Sequence, residues 1–209
     1  MAKRIIDISW PVQPAMTTYK DRNDVVFTPV ATWQRDHHRL SAVSMNVHTG
    51  THVDAQAHFL EQGCSVEAVL LTSLVGPCKV LDLTACIDRI AAADLAMHDL
   101  VAGDIVLCKT KNSVLPDTAP FDYNFTFLAA DAAQLLVDKR IKAFGIDYIG
   151  IERAQAAHDT HKLLMSNNIA IVEGLRLGHV APGAYEFICL PLLLLGLDGA
   201  PARAILLQD

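Results

Sequence analysis

"HTGTHVDAQAHF", residues His48 to Phe59, places three of the chain's nine histidines and one aspartate within twelve positions. Helix is a poor reading of this stretch. His48 and His52 would share a helix face at i, i+4, but Asp54 would point elsewhere, and Gly50, Thr51 and Val53 all disfavour helix. In an extended chain His48, His52, Asp54 and His58 all occupy even positions and share one face. A straight strand would still hold its ends roughly 33 Å apart at ~3.3 Å per residue. Convergence needs a bend, which Gly50 supplies by adopting a positive φ. "AQAHFLEQ" then turns into a short helix stopped by Gly63. The pattern therefore predicts strand, tight turn, short extended piece and helical turn, with four polar side chains closing around one point. Imidazole and carboxylate suit Zn²⁺ or Mn²⁺, and one carboxylate can bridge two ions. On the residues alone, a metal site and a hydrogen-bonded turn stand about level. In the second reading Asp54 is the N-cap of the helical turn that follows.

The rest of the chain bounds what such a site is built on. It has 209 residues, 52% of them apolar, enough for one sizeable core, so residues 1–209 read as one domain. The formal charge of -6, with no Lys/Arg-rich segment, gives no electrostatic footprint for nucleic acid. "MAKRIIDISW" lacks the apolar stretch of a secretory signal, and "LPLLLLGL" (190–197) is too short to span a bilayer and reads as a buried strand. Five scattered cysteines without a C-x-x-C pair point to reduced thiols in a cytoplasmic protein.

Strand-like runs ("IIDIS", "CKVLDLT", "DIVLCKT", "IKAFGID", "IAIVEGL", "YEFICLPLLLL", "ARAILLQ") interleave with helical ones ("IAAADLAMHDL", "DAAQLLVDKR" and "IERAQAAHDTHKLLMSNN"). The class is α/β with a mixed sheet and interleaved helices. "RLSAVSMNVHTG" alternates like a strand arriving at Gly50, whereas residues 16–39 read as a long irregular arm. His37, His38, His98 and His179 are expected on solvated surface, and Asp198 and Arg203 as a structural ion pair. Trp10, Trp33 and Tyr19 are expected as core or arm anchors. Glu173 lies in an apolar strand, where a buried carboxylate is costly unless paired; Gly174 beside it also permits simple strand-end exposure. His158 and His161 lie three apart on one helix face, and nothing local chooses between them.

The opening string resembles the H-x-G-T-H-x-D-x-P-x-H-F signature of the cyclase-like metal-dependent hydrolases, a family that includes bacterial kynurenine formamidases and isatin hydrolases. It matches at His48, Gly50, Thr51, His52, Asp54, His58 and Phe59, and departs at Gln56, where the family has proline. "IIDISWPV", "FGIDYIGIE" and "LPLLLLGLDGAPARAIL" resemble other family segments, so the likeness runs nearly end to end. The resemblance implies a swivelling β/β/α fold and a homodimer or homotetramer. It implies metal ligands at His48, His52 and Asp54, joined by His161 and Glu173, which keep the family's twelve-residue spacing. It implies about two Zn²⁺ per chain, with Mn²⁺ the alternative, and His58 as general acid/base. The activity implied is hydrolysis of a small-molecule amide, such as the aryl formamide N-formylkynurenine, by metal-bound hydroxide. The proline- and tryptophan-rich segment of kynurenine formamidases is replaced here by "QPAMTTYKDRND". That leaves cyclic amides of the isatin type, esters and a non-catalytic metal-binding role as the other readings.

Overall fold

The structure is a computed structural model that describes residues 4–208. Its strands are β1 (Arg4–Asp7), β2 (Val26–Ala31), β3 (Leu40–Ser44), β4 (His52–Asp54), β5 (Val75–Asp82), β6 (Arg89–Ile90), β7 (Ile105–Lys109), β8 (Phe127–Leu128), β9 (Ala143–Ile146), β10 (Ala170–Glu173), β11 (Gly183–Pro191) and β12 (Gly199–Gln208). The α-helices are α1 (Trp33–Asp36), α2 (Ala92–Ala96), α3 (Ala130–Asp138) and α4 (Asp159–Ser166).

Eight strands hydrogen-bond in the order β1-β12-β11-β5-β7-β9-β10-β4, and β4 also pairs with β12. That last pairing closes the sheet into a barrel, with β1 attached outside the ring. Closure leaves the ring itself without free edges. β5, β7, β9 and β10 run parallel, and the remaining pairings are antiparallel.

Alternation along the parallel strands divides the core in two. Ile105, Leu107, Ala143 and Val172 join Phe187, Cys189, Ala204 and Leu206 in one cluster that fills the barrel. Val106, Cys108, Phe144, Ile146 and Ile171 face the other way and pack with Leu95, Ala132, Leu136 and Leu164 of α2, α3 and α4. Burial on both faces explains why these strands read as near-continuous apolar runs. The mixed α/β class is as expected, but the helices are few and short, and three of them cover one side of a barrel.

Four expectations need correction. Residues 16–39 are not an irregular arm throughout: β2 and β3 form an antiparallel hairpin, obscured in sequence by Pro29 and a register shift beside it. The strand expected to reach Gly50 ends at Ser44. The helix expected over 151–168 begins only at Asp159, because Ala154 and His158 adopt left-handed φ values of 56° and 55°. "LPLLLLGL" is not a buried strand: β11 ends at Pro191, and Leu193 and Leu195 are 79% and 75% exposed.

Candidate metal centre

Apart from the strand expected ahead of Gly50, the opening stretch adopts the anticipated shape. Gly50 takes a φ of 60°, β4 carries His52 to Asp54, and a 3-10 turn covers Gln56–His58. Val53 points into the barrel core, which sends His52 and Asp54 to the opposite face. β4 pairs with β10 so that His52 stands opposite Glu173. Register alone therefore brings a motif histidine to a carboxylate 121 positions later. α4 then lays His161 over the same face.

Thr51 welds this junction. Its hydroxyl accepts from the Trp10 backbone N–H at 2.8 Å and donates to the Gly174 carbonyl at 2.5 Å. The fit needs two glycines: Gly174 has a φ of 69°, and a Cβ there would lie 2.1 Å from the Gly50 carbonyl oxygen. Gln56, in place of the family proline, adds its own tie. Its amide donates to the Met165 carbonyl at 2.9 Å and to Asn168 Oδ1 at 3.0 Å, fastening the motif's turn to the end of α4.

All six candidate residues converge. His48 Nδ1 lies 2.8 Å from Asp54 Oδ1, and His52 Nε2 lies 3.3 Å from both Asp54 Oδ1 and Glu173 Oε2. His161 Nε2 lies 3.5 Å from Asp54 Oδ2 and 3.4 Å from Glu173 Oε1. The His58 ring stacks on His48 with centroids 4.0 Å apart. Of the two downstream histidines, His161 faces the cluster, while His158 points to Glu152. Asp54 does not cap the following turn, and Glu173 is buried rather than exposed at its strand end.

These contacts are close but poorly directed. Although several distances fall within 3.5 Å, His52 Nε2, Asp54 Oδ2 and His161 Nε2 are buried without a hydrogen-bond partner. Orphaned buried polar atoms cost about 1–3 kcal/mol each. Groups that approach one another yet miss hydrogen-bond alignment are aimed at a shared point between them. A cation at that point satisfies the nitrogen lone pairs and carboxylate oxygens together, so the donor set fits a metal centre.

The electrostatics agree. Burial pulls the His52 pKa down, but the Asp54 and Glu173 carboxylates beside the ring outweigh it and raise the value to about 10. Burial opposes ionisation of Asp54, yet His161, His48 and His52 hold it well below the usual carboxylate range. The electron-rich cage keeps protons on its histidines when no cation is there to replace them.

Two residues of the centre escaped the sequence reading. Glu152 Oε1 lies 3.1 Å from His161 Nδ1. Its only signal was an acidic side chain just past the carboxyl end of an apolar strand, "FGIDYIGIE", where α/β sheets gather functional groups. Asp198 does not pair with Arg203 as expected. Arg203 binds Asp7 instead, while Asp198 Oδ2 lies 3.0 Å from His48 Nε2 and 3.4 Å from His58 Nδ1. Among the remaining histidines, His37, His38 and His179 are exposed and His98 is half-buried. Trp10 is a core residue, but Trp33 is 58% exposed.

The centre opens into a cavity of about 820 Å³, floored by His48, His58, His161 and Glu173 and walled partly by Tyr19, Phe59, Phe121 and Tyr123.

Known proteins give this geometry a context. The chain is 33% identical over 205 residues to a kynurenine formamidase of Salinibacter ruber, covering 97% of this chain and 96% of that protein. It is 31% identical over 209 residues to the kynurenine formamidase of Bacillus cereus, covering 96% of each. A solved structure described as a "potential metal-dependent hydrolase with cyclase activity" superposes with a TM-score of 0.90 at 44% identity, over 100% of this chain and 99% of that one. Isatin hydrolase A of Labrenzia aggregata shares the fold, with a TM-score of 0.84 at 20% identity over 99% of this chain and 94% of that one. The Cyclase family model matches residues 6–153, which include the whole histidine signature, and the chain belongs to that family.

Proposed function

We propose that this chain is a metal-dependent hydrolase that cleaves an amide C–N bond outside peptides, with an aryl formamide such as N-formylkynurenine as its substrate class. One observation carries the metal reading: the buried ligand atoms of His52, Asp54 and His161 lack hydrogen-bond partners and face a common point with Glu173. His48, His52, Asp54, His161 and Glu173 are the candidate ligands of two ions, with Asp54 at their meeting point. Nitrogen and carboxylate donors favour Zn²⁺, with Mn²⁺ second. A divalent cation held there supplies charge that lowers the pKa of water to ~7 and polarises a carbonyl oxygen.

The chain's own groups supply the rest. Burial lowers the His58 pKa, against the opposing charges of Asp54 and Glu173. The ring is therefore neutral near pH 7 and able to take a proton. It accepts one from the attacking water and returns it to the leaving nitrogen, which departs as an aryl amine. Asp198 Oδ2, 3.4 Å from His58 Nδ1, stabilises the ring when it is protonated. The aromatic wall takes up an aryl ring, and the likeness to kynurenine formamidases supports the formamide. His58 also belongs to a potential ligand trio with His48 and Asp54, whose ligand atoms lie within 4.8 Å of one another. The two roles for His58 make opposite statements about metal content in a His58→Ala variant.

The test is hydrolysis of N-formylkynurenine, isatin and an activated aryl ester by one purified sample, before and after chelator treatment. Chelator-sensitive turnover of the formamide above the other two supports the reading. Equal inertness toward all three, with metal bound, leaves a non-catalytic metal protein.

The reading extends to assembly and compartment. β2 and β3 form a two-stranded hairpin with Phe27, Val30, Leu40 and Val43 exposed, and an isolated hairpin of this kind is marginal in water. A homodimer or homotetramer that covers this hairpin is the proposed state. The five free cysteines suit a reducing cytoplasm, and no helix among the described residues is long and apolar enough to cross a membrane.

A further inference from the structure

The geometry points to Glu152 as a positioning residue that orients His161 toward the cation. This rests on the metal centre proposed above and goes beyond its ligands. The Glu152 side chain is only 6% exposed, a costly place for a carboxylate unless it is paired. It addresses residue 161 twice. Oε1 lies 3.1 Å from the ring Nδ1, and Oε2 accepts from the His161 backbone N–H at 3.3 Å. Oε1 also contacts His158 Nδ1.

An imidazole has two nitrogens, and in the neutral ring only one has a lone pair to give. Glu152 Oε1 stands close to Nδ1 though off the direction of a hydrogen bond, and a proton drawn to Nδ1 by that carboxylate leaves the lone pair on Nε2, the atom that faces Asp54 and Glu173. The carboxylate thus selects the ligating tautomer and restrains the ring's rotation, as outer carboxylates do for metal-bound histidines. Its own position is set by the centre. The neighbouring Ile151 N–H donates to Glu173 Oε1 at 2.7 Å, so the segment carrying Glu152 is anchored on another candidate ligand.

The rival use of these groups is a separate cation site formed by Glu152, His158 and His161, whose ligand atoms lie within 4.8 Å of one another. It would need both nitrogens of His161 as donors, which a neutral ring cannot supply. The His158 side chain is also 48% exposed.

The experiment titrates Zn²⁺ into chelator-stripped protein against a chromophoric competitor and counts bound ions. Glu152→Ala should bind the more weakly held ion about 10–100-fold less tightly than wild type. Glu152→Gln should recover most of that loss, because its amide oxygen still accepts from Nδ1–H. His158→Ala should stay within about twofold of wild type, since it removes none of the contacts to His161. If Glu152→Ala does not fold, Glu152→Asp decides: its shorter arm draws the oxygen away from Nδ1 and should still cost about tenfold. Wild-type affinity in Glu152→Ala, or in Glu152→Asp in its place, overturns the inference. So does a third ion per chain that disappears in His158→Ala. Wild-type protein that binds no Zn²⁺ refutes the metal centre itself, a result distinct from these.

Discussion

Thr51→Val tests whether the hydroxyl weld, rather than packing, sets the barrel junction beneath the metal centre. Valine keeps the shape of threonine and removes only its hydrogen bonds. In the wild-type protein Thr51 is 3% exposed and joins the Trp10 N–H to the Gly174 carbonyl. The Trp10 N–H and the Gly174 carbonyl face each other across the isolated Ser9–Leu175 bridge, so the substitution removes the hydroxyl partner of both and leaves them only a weak direct contact. That contact keeps each group in the lower part of the range, about 1–2 kcal/mol, so the two together lose about 2–4 kcal/mol, centred near 3. For a chain of this length each kcal/mol moves Tm by about 2–4 °C, so metal-free Thr51→Val should melt about 6–12 °C below wild type by circular dichroism. Thr51→Ser keeps the hydroxyl and gives up one methyl group, a loss of about 1 kcal/mol. A Thr51→Val protein that melts with wild type, or a Thr51→Ser protein that falls as far as the valine variant, would show that the hydrogen bonds do not hold the junction.

Other outcomes follow from the centre itself. Asp54→Ala should lose most bound metal, since Asp54 lies at the meeting point of His48, His52 and His161; wild-type occupancy by elemental analysis removes Asp54 from the site. His58→Ala should keep its metal and lose on the order of 10²–10⁴ in amide turnover, while retaining activity on an activated ester whose leaving group needs no proton. Metal-free His58→Ala protein would make His58 a ligand instead. In stripped protein the pKa of His52, raised from 6.5 to about 10, stabilises the fold fully below 6.5, and this contribution is lost as pH rises through about 10. The Tm of stripped protein should therefore fall across that interval. Saturating Zn²⁺ should remove the His52 part of the fall, because a ligand imidazole is neutral throughout; a flat profile in stripped protein contradicts the assignment.

The candidate site was largely legible because its geometry is local. Even spacing of His52 and Asp54, a glycine able to take positive φ and a short helical run were enough to shape residues 48–59. The register of His161 to Glu173 came from family likeness, since His158 sits equally well on periodicity alone. Glu152 and Asp198 were not legible as members of the site: each reaches a histidine through tertiary contact, and one acidic residue in a loop has no period to reveal it. Barrel closure was hidden for a related reason. It depends on the three residues of β4 pairing with β10 and β12, strands more than a hundred positions away. Residues 190–197 misled because apolar composition reports hydrophobicity, not which surface it serves. Five of the segment's six leucines stand on the outside of the molecule, and Leu194 alone packs inward.

The central claim is that the converged histidines and carboxylates hold metal ions used to cleave an aryl amide. Its most direct test is N-formylkynurenine hydrolysis by the same sample as purified, after chelator stripping, and after Zn²⁺ or Mn²⁺ is restored. Turnover should be lost on stripping and regained on addition of metal. Full turnover in metal-free protein would contradict it.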